Sequence, residues 1–564
     1  MGERNPQIAP GNAFTRITSA AARIAPRAAI WLLLALFVLY PLARLLFMLF
    51  SSDGQAGGTG VANLAGVFTD AYTRRALGNS LLLASSVGLC GTFLGFLFAF
   101  AVTRIDMPKG VRAFFSSVTV LSFVSPPFTG SIALTLVLGP GGLLQRLLHL
   151  PDFTIYGFPG TLLAETLTYF PLAFLTLAAV LGAIDPSCED AARGLGASEG
   201  RVFRTVTLPL CVPGLANSFL LLFAESLADF ATPLVMAGKS FPVLPTQVYL
   251  QITGMYDLRG GAVIAFVLLL PAFAVFFAQR FWVNRRSYVT MTGTGFARSR
   301  RGHAQPPRGV RAAILGAISV VTLFVLSLYA TILVSSFVRV WGVDNSFTLD
   351  NYRFVFTSGL NSIADSLLIA VAAAIPGTIL ALGVALLSRR GGASGAALEF
   401  VSLVNYILPG TVLGIAYLIA FNSGPIVLTG TMTIIVALCV FRYDATGIRS
   451  IIASLRQLDP SLEEASLSLG ASRFTTLRRV TLPLVLPAVK AGMRYLFTVS
   501  LTAISAVIFL VSVNWSLLTV RILQCITELM FAEAAAFSVV LVAIVFAAIG
   551  CIDLIFRFVC PRSS

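Results

Sequence analysis

Apolar stretches long enough to cross a bilayer recur from about residue 28 to about residue 558, and this more than anything else limits what the chain can fold into. A helix needs about 20 predominantly apolar residues to span the hydrocarbon core. Charged residues make up 11% of the chain, whereas a soluble chain has about 25%, so a water-facing surface cannot be covered. Mean hydropathy is +0.89 and 57% of residues are hydrophobic. Transmembrane barrel strands would show as roughly ten-residue segments of alternating polarity, and that pattern is missing. The expectation is an all-α integral membrane protein.

The first apolar run, 28–50, follows Arg16, Arg23 and Arg27. It is longer than the apolar region of a secretion signal and no clean small-residue cleavage site follows, so it reads as a retained anchor. The seven cysteines (Cys90, Cys188, Cys211, Cys439, Cys525, Cys551 and Cys560) include no C-x-x-C pair. Most lie in or beside apolar runs, where a cysteine behaves as a small hydrophobe, and no fixed metal site is expected. The formal net charge of +15 reads as basic loops that set topology, not as a nucleic-acid surface.

Twelve spans are expected near 28–50, 77–103, 113–138, 161–184, 213–236, 261–283, 312–337, 363–388, 397–420, 429–452, 488–512 and 534–558. Basic residues concentrate in the N-terminal segment, in the loop of Arg104, Lys109 and Arg112, and after the sixth span from Arg285 to Arg311. The positive-inside bias puts both termini in the cytoplasm. The Gly-, Pro- and Ser-rich basic stretch 284–311 reads as a linker, giving modules at 1–290 and 312–564 joined through 291–311.

The halves repeat in parallel, an arrangement known in transporters. The clearest echo pairs EDAARGLGASEGRVFRTVTLPL at 189–210 with EEASLSLGASRFTTLRRVTLPL at 463–484. Asp185-Pro186 and Asp459-Pro460 supply an N-cap and a proline at the first helical position. Glu189, Asp190, Glu463 and Glu464 complement the helix dipole. Gly196 and Gly470 permit a sharp turn, and a second short helix is expected to stop at Leu208-Pro209 and Leu482-Pro483. A single structural loop would not need a near-copy at the equivalent place, so a docking surface used twice is expected.

These residues resemble the cytoplasmic E-A-A signature of ABC importer membrane subunits, in which Gly follows after three residues and I/V-x-L-P after nine more. The first copy reads Asp190-Ala191-Ala192, Gly196 and Val206-Thr207-Leu208-Pro209. The second reads Glu464-Ala465-Ser466, Gly470 and Val480-Thr481-Leu482-Pro483. Asp for Glu and Ser for Ala are the departures, and both are mild. The whole chain resembles the fused permeases of the ferric-iron importer group, with two six-helix type I modules in one polypeptide of the bacterial inner membrane.

The resemblance implies that two copies of an ABC ATPase, which would use ATP and Mg, dock on Asp190, Ala191, Ala192, Gly196, Leu208 and Pro209 and on Glu464, Ala465, Ser466, Gly470, Leu482 and Pro483. It further implies a periplasmic solute-binding protein, with no cofactor and no catalytic residue in this chain. Ferric iron is the expected cargo; phosphonate, sugar phosphate, thiamine and polyamine carriers are relatives of the group. A major facilitator transporter would also have twelve helices, but its signature loop follows the second helix of a half, and nothing near Arg389-Arg390 matches the Arg104–Gly110 stretch. Gly238-Lys239-Ser240 lacks the glycine a phosphate-binding loop needs at Pro233, so nucleotide hydrolysis belongs elsewhere.

Ionisable residues within spans are functional candidates by default. Glu225 and Asp229 lie four apart, on one helix face, while Val499 and Ala503 stand at the equivalent second-half positions. With Glu165 they form the expected substrate path, favouring a cation. The competing expectation is that they cap or pair inside the bundle, with Lys239 or Arg259.

Overall fold

Asp70 accepts the Thr73 backbone N–H at 2.8 Å and so starts a helix that runs unbroken from Ala71 to Arg104. Interior prolines are absent from it, and its apolar residues fall on all sides, as expected of a helix immersed among others and lipid. The computed structural model describes residues 25–50, 68–139, 142, 154–283, 305–389 and 392–559. In the first half α1 (Ala25–Phe50), α2 (Ala71–Arg104), α3 (Lys109–Val124), α4 (Pro127–Leu138) and α5 (Phe158–Ala183) lead to the short α6 (Pro186–Gly194). Then come α7 (Glu199–Ala228), α8 (Ala231–Met236), α9 (Leu244–Thr253) and α10 (Leu258–Phe277).

The second half opens with α11 (Arg308–Ser335), a hairpin of β1 (Val338–Val340) and β2 (Asp344–Phe347), and α12 (Asp350–Ser358). It continues through α13 (Leu360–Ser388), α14 (Gly392–Ile407), α15 (Gly410–Phe421), α16 (Met432–Tyr443) and α17 (Ala445–Gln457). The short α18 (Pro460–Ser468), α19 (Arg473–Thr502), α20 (Leu518–Thr527) and α21 (Phe531–Val559) complete it. Most of the linker, including 291–304, lies outside the described residues, as does Arg285–Tyr288.

Among the described residues nine helices are long and apolar enough to cross a membrane singly, and α14 with α15 form a pair bent by 105°. Several expected spans are broken, among them 213–236 at Asp229-Phe230 and 488–512 after Thr502. The span at 113–138 splits at Ser125-Pro126, that at 397–420 at Leu408-Pro409, and that at 429–452 at Asp444. The breaks at Pro126 and Pro409 follow from proline, which disfavours helical geometry in the residue before it: Ser125 and Pro126 have ψ of 150° and 145°.

Each half lends its first helix to the other. Pro41 has no N–H to give the Phe37 carbonyl four residues back, and α1 widens into a π-turn over Ala35–Leu39 just before it. Left unsatisfied in an apolar setting, that carbonyl would be costly. Asn405 Nδ2 and the Tyr417 hydroxyl, both from the second half, donate to it at 3.2 and 2.5 Å. The Phe37 ring stacks on Phe441 at 5.1 Å. Reciprocally, α11 packs along α3 and α4, where the Tyr329 hydroxyl meets Ser125 at the helix break at 2.8 Å. The Trp341 indole N–H donates to the Leu136 carbonyl at 3.0 Å. One continuous apolar core includes Val38, Leu227, Ile264, Leu413 and Phe537 from both halves.

Candidate functional site

The two polar inserts fold alike. Asp185 accepts the Ser187 N–H and Asp459 the Ser461 N–H, each at 2.9 Å, and these backbone bonds hold both carboxyls below the usual carboxylate range. Pro186 and Pro460 take the first helical position, and α6 and α18 each run nine residues.

Both helices end in a Schellman turn, whose residue beyond the cap takes left-handed geometry. Gly196 N–H donates to the Arg193 carbonyl and Ala197 N–H to the Ala192 carbonyl; Gly470 to Leu467 and Ala471 to Ser466 repeat this. Gly196 and Gly470 have φ of +83° and +82°. Just before each glycine a leucine stands out from the surface, Leu195 at 90% and Leu469 at 88% exposure.

The acids divide by face. Asp190, Ala191, Glu464 and Ala465 are exposed, while Ala192 and Ser466 are half-buried. Glu189 is buried and faces inward, meeting Arg104 at the end of α2 at 3.2 Å and the Thr207 hydroxyl at 2.8 Å. Glu463 repeats the arrangement with Arg389, just past the end of α13, at 2.5 Å and with Thr481 at 2.8 Å. Arg389 is thus the spatial counterpart of Arg104, although the sequence around it shows no matching motif. The first carboxylate of each insert is an anchor more than a dipole complement.

Leu208-Pro209 and Leu482-Pro483 do not end a helix, contrary to expectation. The chain passes through them into α7 and α19 by π-turns at Phe203–Thr207 and Leu477–Thr481. The wider turn absorbs the hydrogen bond each proline cannot make, so the stretch after each glycine and the following span are one helix.

Deep in the first half, Glu165, Glu225 and Asp229 lie near enough to Tyr169 for their charges to act on its hydroxyl. Asp229 Oδ1 accepts the Ala231 and Thr232 N–H groups at 2.9 and 3.3 Å, capping α8 where α7 breaks. Its Oδ2 is buried without a hydrogen-bond partner, as is Glu165 Oε1; the other Glu165 oxygen accepts from Ser226. Glu225 is half-buried and interacts electrostatically with Arg442 of the second half. Arg442, from the other half, is thus a cation set against Glu225. Its Nη1 also donates at 2.7 Å to the Leu408 carbonyl freed by the α14–α15 break. At the offset linking the two inserts, Tyr169 and Ser226 correspond to Tyr443 and Ser500, while Cys439 stands for Glu165. No group of three or more His, Cys, Asp or Glu able to hold a metal occurs among the described residues.

Two parallel helical modules, each with a short capped helix between its fourth and fifth spans, define a membrane-spanning component of an ABC importer. The family model described as binding-protein-dependent transport system inner membrane component matches residues 91–288 and 377–564, and the chain belongs to that family. It is 36% identical over 517 residues to a Haemophilus influenzae protein bearing the name ferric transport system permease protein FbpB 1, covering 89% of this chain and 80% of that protein. It is 34% identical over 532 residues to the ferric transport system permease protein FbpB of Actinobacillus pleuropneumoniae, covering 92% and 76%. A Sinorhizobium fredii protein named as an ABC transporter permease is 26% identical over 491 residues, covering 82% and 84%. The chain is accordingly a multi-pass inner membrane permease and a transporter component, and the major facilitator alternative falls.

Sequence reading missed Leu195, Leu469, Tyr169, Arg442, Arg104 and Arg389. The leucines and Tyr169 were within reach, since Leu195 and Leu469 repeat inside the aligned inserts and Tyr169 repeats as Tyr443. The arginines gave no local sign of their partners.

Proposed function

We propose that this chain forms the membrane path of an ATP-driven importer for ferric iron. The observation that carries the reading is the pair of like-built loops, each with a capped helix, a left-handed glycine and an exposed leucine. Two copies of a separate ATPase, which use the ATP and Mg, sit on Asp190, Ala191, Ala192, Leu195 and Gly196 and on Glu464, Ala465, Ser466, Leu469 and Gly470. Leu208-Pro209 and Leu482-Pro483 pass their movement along α7 and α19. The chain itself binds no cofactor. A periplasmic binding protein delivers cargo at the opposite end, and both termini lie in the cytoplasm. The names of the Haemophilus and Actinobacillus relatives support iron, as do the acids Glu165, Glu225 and Asp229 in the first half. Metal and metabolite analysis of the binding protein purified with its ligand tests the cargo; a bound phosphonate, sugar phosphate, thiamine or polyamine without iron would overturn it.

Fully burying a leucine side chain is worth about 1.5–3 kcal/mol. Leu195→Asp with Leu469→Asp is therefore expected to weaken ATPase co-purification by roughly tenfold or more per loop. The melting temperature should not change, because neither side chain packs inside the protein. Undiminished co-purification would remove both leucines from the docking surface.

Orientation is tested by reporter tags. Tags at Gly58, Gly254 and Ser423 should map outside the cytoplasm, and those at Gly302 and Ser564 inside. Gly58, Gly302 and Ser564 lie outside the described residues. A tag at Gly302 found outside would reverse the placement of both loops.

A further inference from the structure

The helix that anchors each coupling helix also grips, at its far end, a short helix at the boundary between the halves. In the first half, Arg104 closes α2 against Glu189 of α6. Near the start of α2, Ser80 Oγ accepts the Leu244 N–H at the head of α9 at 2.8 Å. Asn79 Nδ2 donates to the Pro242 carbonyl at 2.9 Å and Arg75 to the Ser240 carbonyl at 3.1 Å.

The second half repeats the device with the same Arg–Glu pair at one end and the same Ser–Leu bond at the other. Arg389 holds Glu463 of α18. Ser366 Oγ accepts the Leu518 N–H at the head of α20 at 2.7 Å, and Asp365 accepts the Ser516 N–H at 3.1 Å. Both gripped helices reach the opposite half: Tyr249 of α9 meets Phe509 at 6.2 Å between ring centres, and α20 packs on α4.

From these paired contacts we propose that α2 and α13 are connecting rods that carry movement of the coupling helices to α9 and α20, with Arg104, Glu189, Arg389 and Glu463 as positioning residues. The proposal rests on the reading of α6 and α18 as ATPase docking helices. The covalent route is the softer one. Each of α7 and α19 contains a π-turn and an internal proline and stops before the segment leading to α9 or α20. By contrast α2 is free of proline and α13, despite Pro376, is continuous. The grips on each rod are separated by roughly 35 Å along the axis at about 1.5 Å per residue. A rigid helix bonded at both ends transmits displacement over that span, and the same connection appears twice.

Breaking the buried Arg104–Glu189 pair would leave an unpaired interior charge, so the test uses the half-exposed Arg389–Glu463 pair. The full chain is purified with its ATPase and carries spin labels at Tyr256 and Leu529, exposed beyond the ends of α9 and α20. The distance between labels is measured without nucleotide and with ATP plus vanadate. In Glu463→Gln and in Ser366→Ala the ATPase should stay bound while the fraction of complexes that switch distance falls about tenfold, within the range usual for coupling between sites. The double variant should be no worse than the worse single one, because both cut one line. The charge exchange Arg389→Glu with Glu463→Arg should restore switching, which a merely structural role would not predict for the nucleotide-dependent signal.

Unchanged switching with bound ATPase would overturn the rods alone, as would losses that multiply in the double variant. Loss of the ATPase from Glu463→Gln would place that residue in the docking surface and also overturn the proposal. A native chain that holds no ATPase would overturn the docking reading and the rods together, and is seen directly at co-purification.

Discussion

Replacing Gly196 and Gly470 with valine is expected to lower ATPase co-purification and uptake at least about tenfold, since a left-handed L residue costs about 1–2 kcal/mol and a β-branched one more. Each glycine sits at φ near +80° where the Schellman turn reverses the chain. No heavy atom lies within 4 Å of where a Cβ would stand, so the loss would come from the backbone and not from a clash. Asparagine tolerates left-handed geometry, and Gly196→Asn with Gly470→Asn should retain most of the function. The exposed loops lie away from the core, so all variants should insert and melt normally. Valine variants that transport normally and hold the full complement of ATPase would end the docking reading.

The acidic cluster has the second large expected effect. Placing a charge within a bilayer costs at least about 2.5–3.5 kcal/mol on insertion scales. If a passing cation supplies the offsetting interaction, Glu225→Gln with Asp229→Asn should slow uptake on the order of a hundredfold. Asparagine caps a helix about as well as aspartate, so the start of α8 should survive, along with ATPase assembly and basal hydrolysis. Asp229→Ala is the structural control and should lower the melting temperature as well as uptake, because the Ala231 and Thr232 N–H groups lose their acceptor. Uptake in vesicles and melting of the solubilised complex are measured in parallel. Loss of stability in the isosteric double variant would make the acids architectural. Normal uptake by a stable protein would take them off the path and favour an anionic or neutral cargo.

Much of this site was legible before any coordinates. Asp185-Pro186 and Asp459-Pro460 announce capped helices because capping acts between neighbours on the chain, and both caps form. Gly196 and Gly470 announce turns for the same local reason. The prolines at Leu208-Pro209 and Leu482-Pro483 misled, because a π-turn lets a helix pass a proline that would otherwise stop it. Several spans read as continuous hydropathy yet break, among them at Pro126, Asp229, Pro409 and Asp444. Hydropathy reports what a segment contacts, not whether its backbone is straight.

The sequence by itself determined that the chain crosses a membrane many times, that it is built from two parallel halves, and where the paired polar inserts fall. These follow from composition, from repeated order and from contacts a few residues long. Only the tertiary structure decided that Glu189 turns inward to Arg104, that Arg389 matches it, and that Asn405 of one half satisfies the Phe37 carbonyl of the other. Those partners lie 85, 74 and 368 residues apart. Nothing local selects among the many polar groups that could meet at such separations. The choice falls to helix packing, which brings a charge or a freed carbonyl in an apolar interior against the group able to satisfy it.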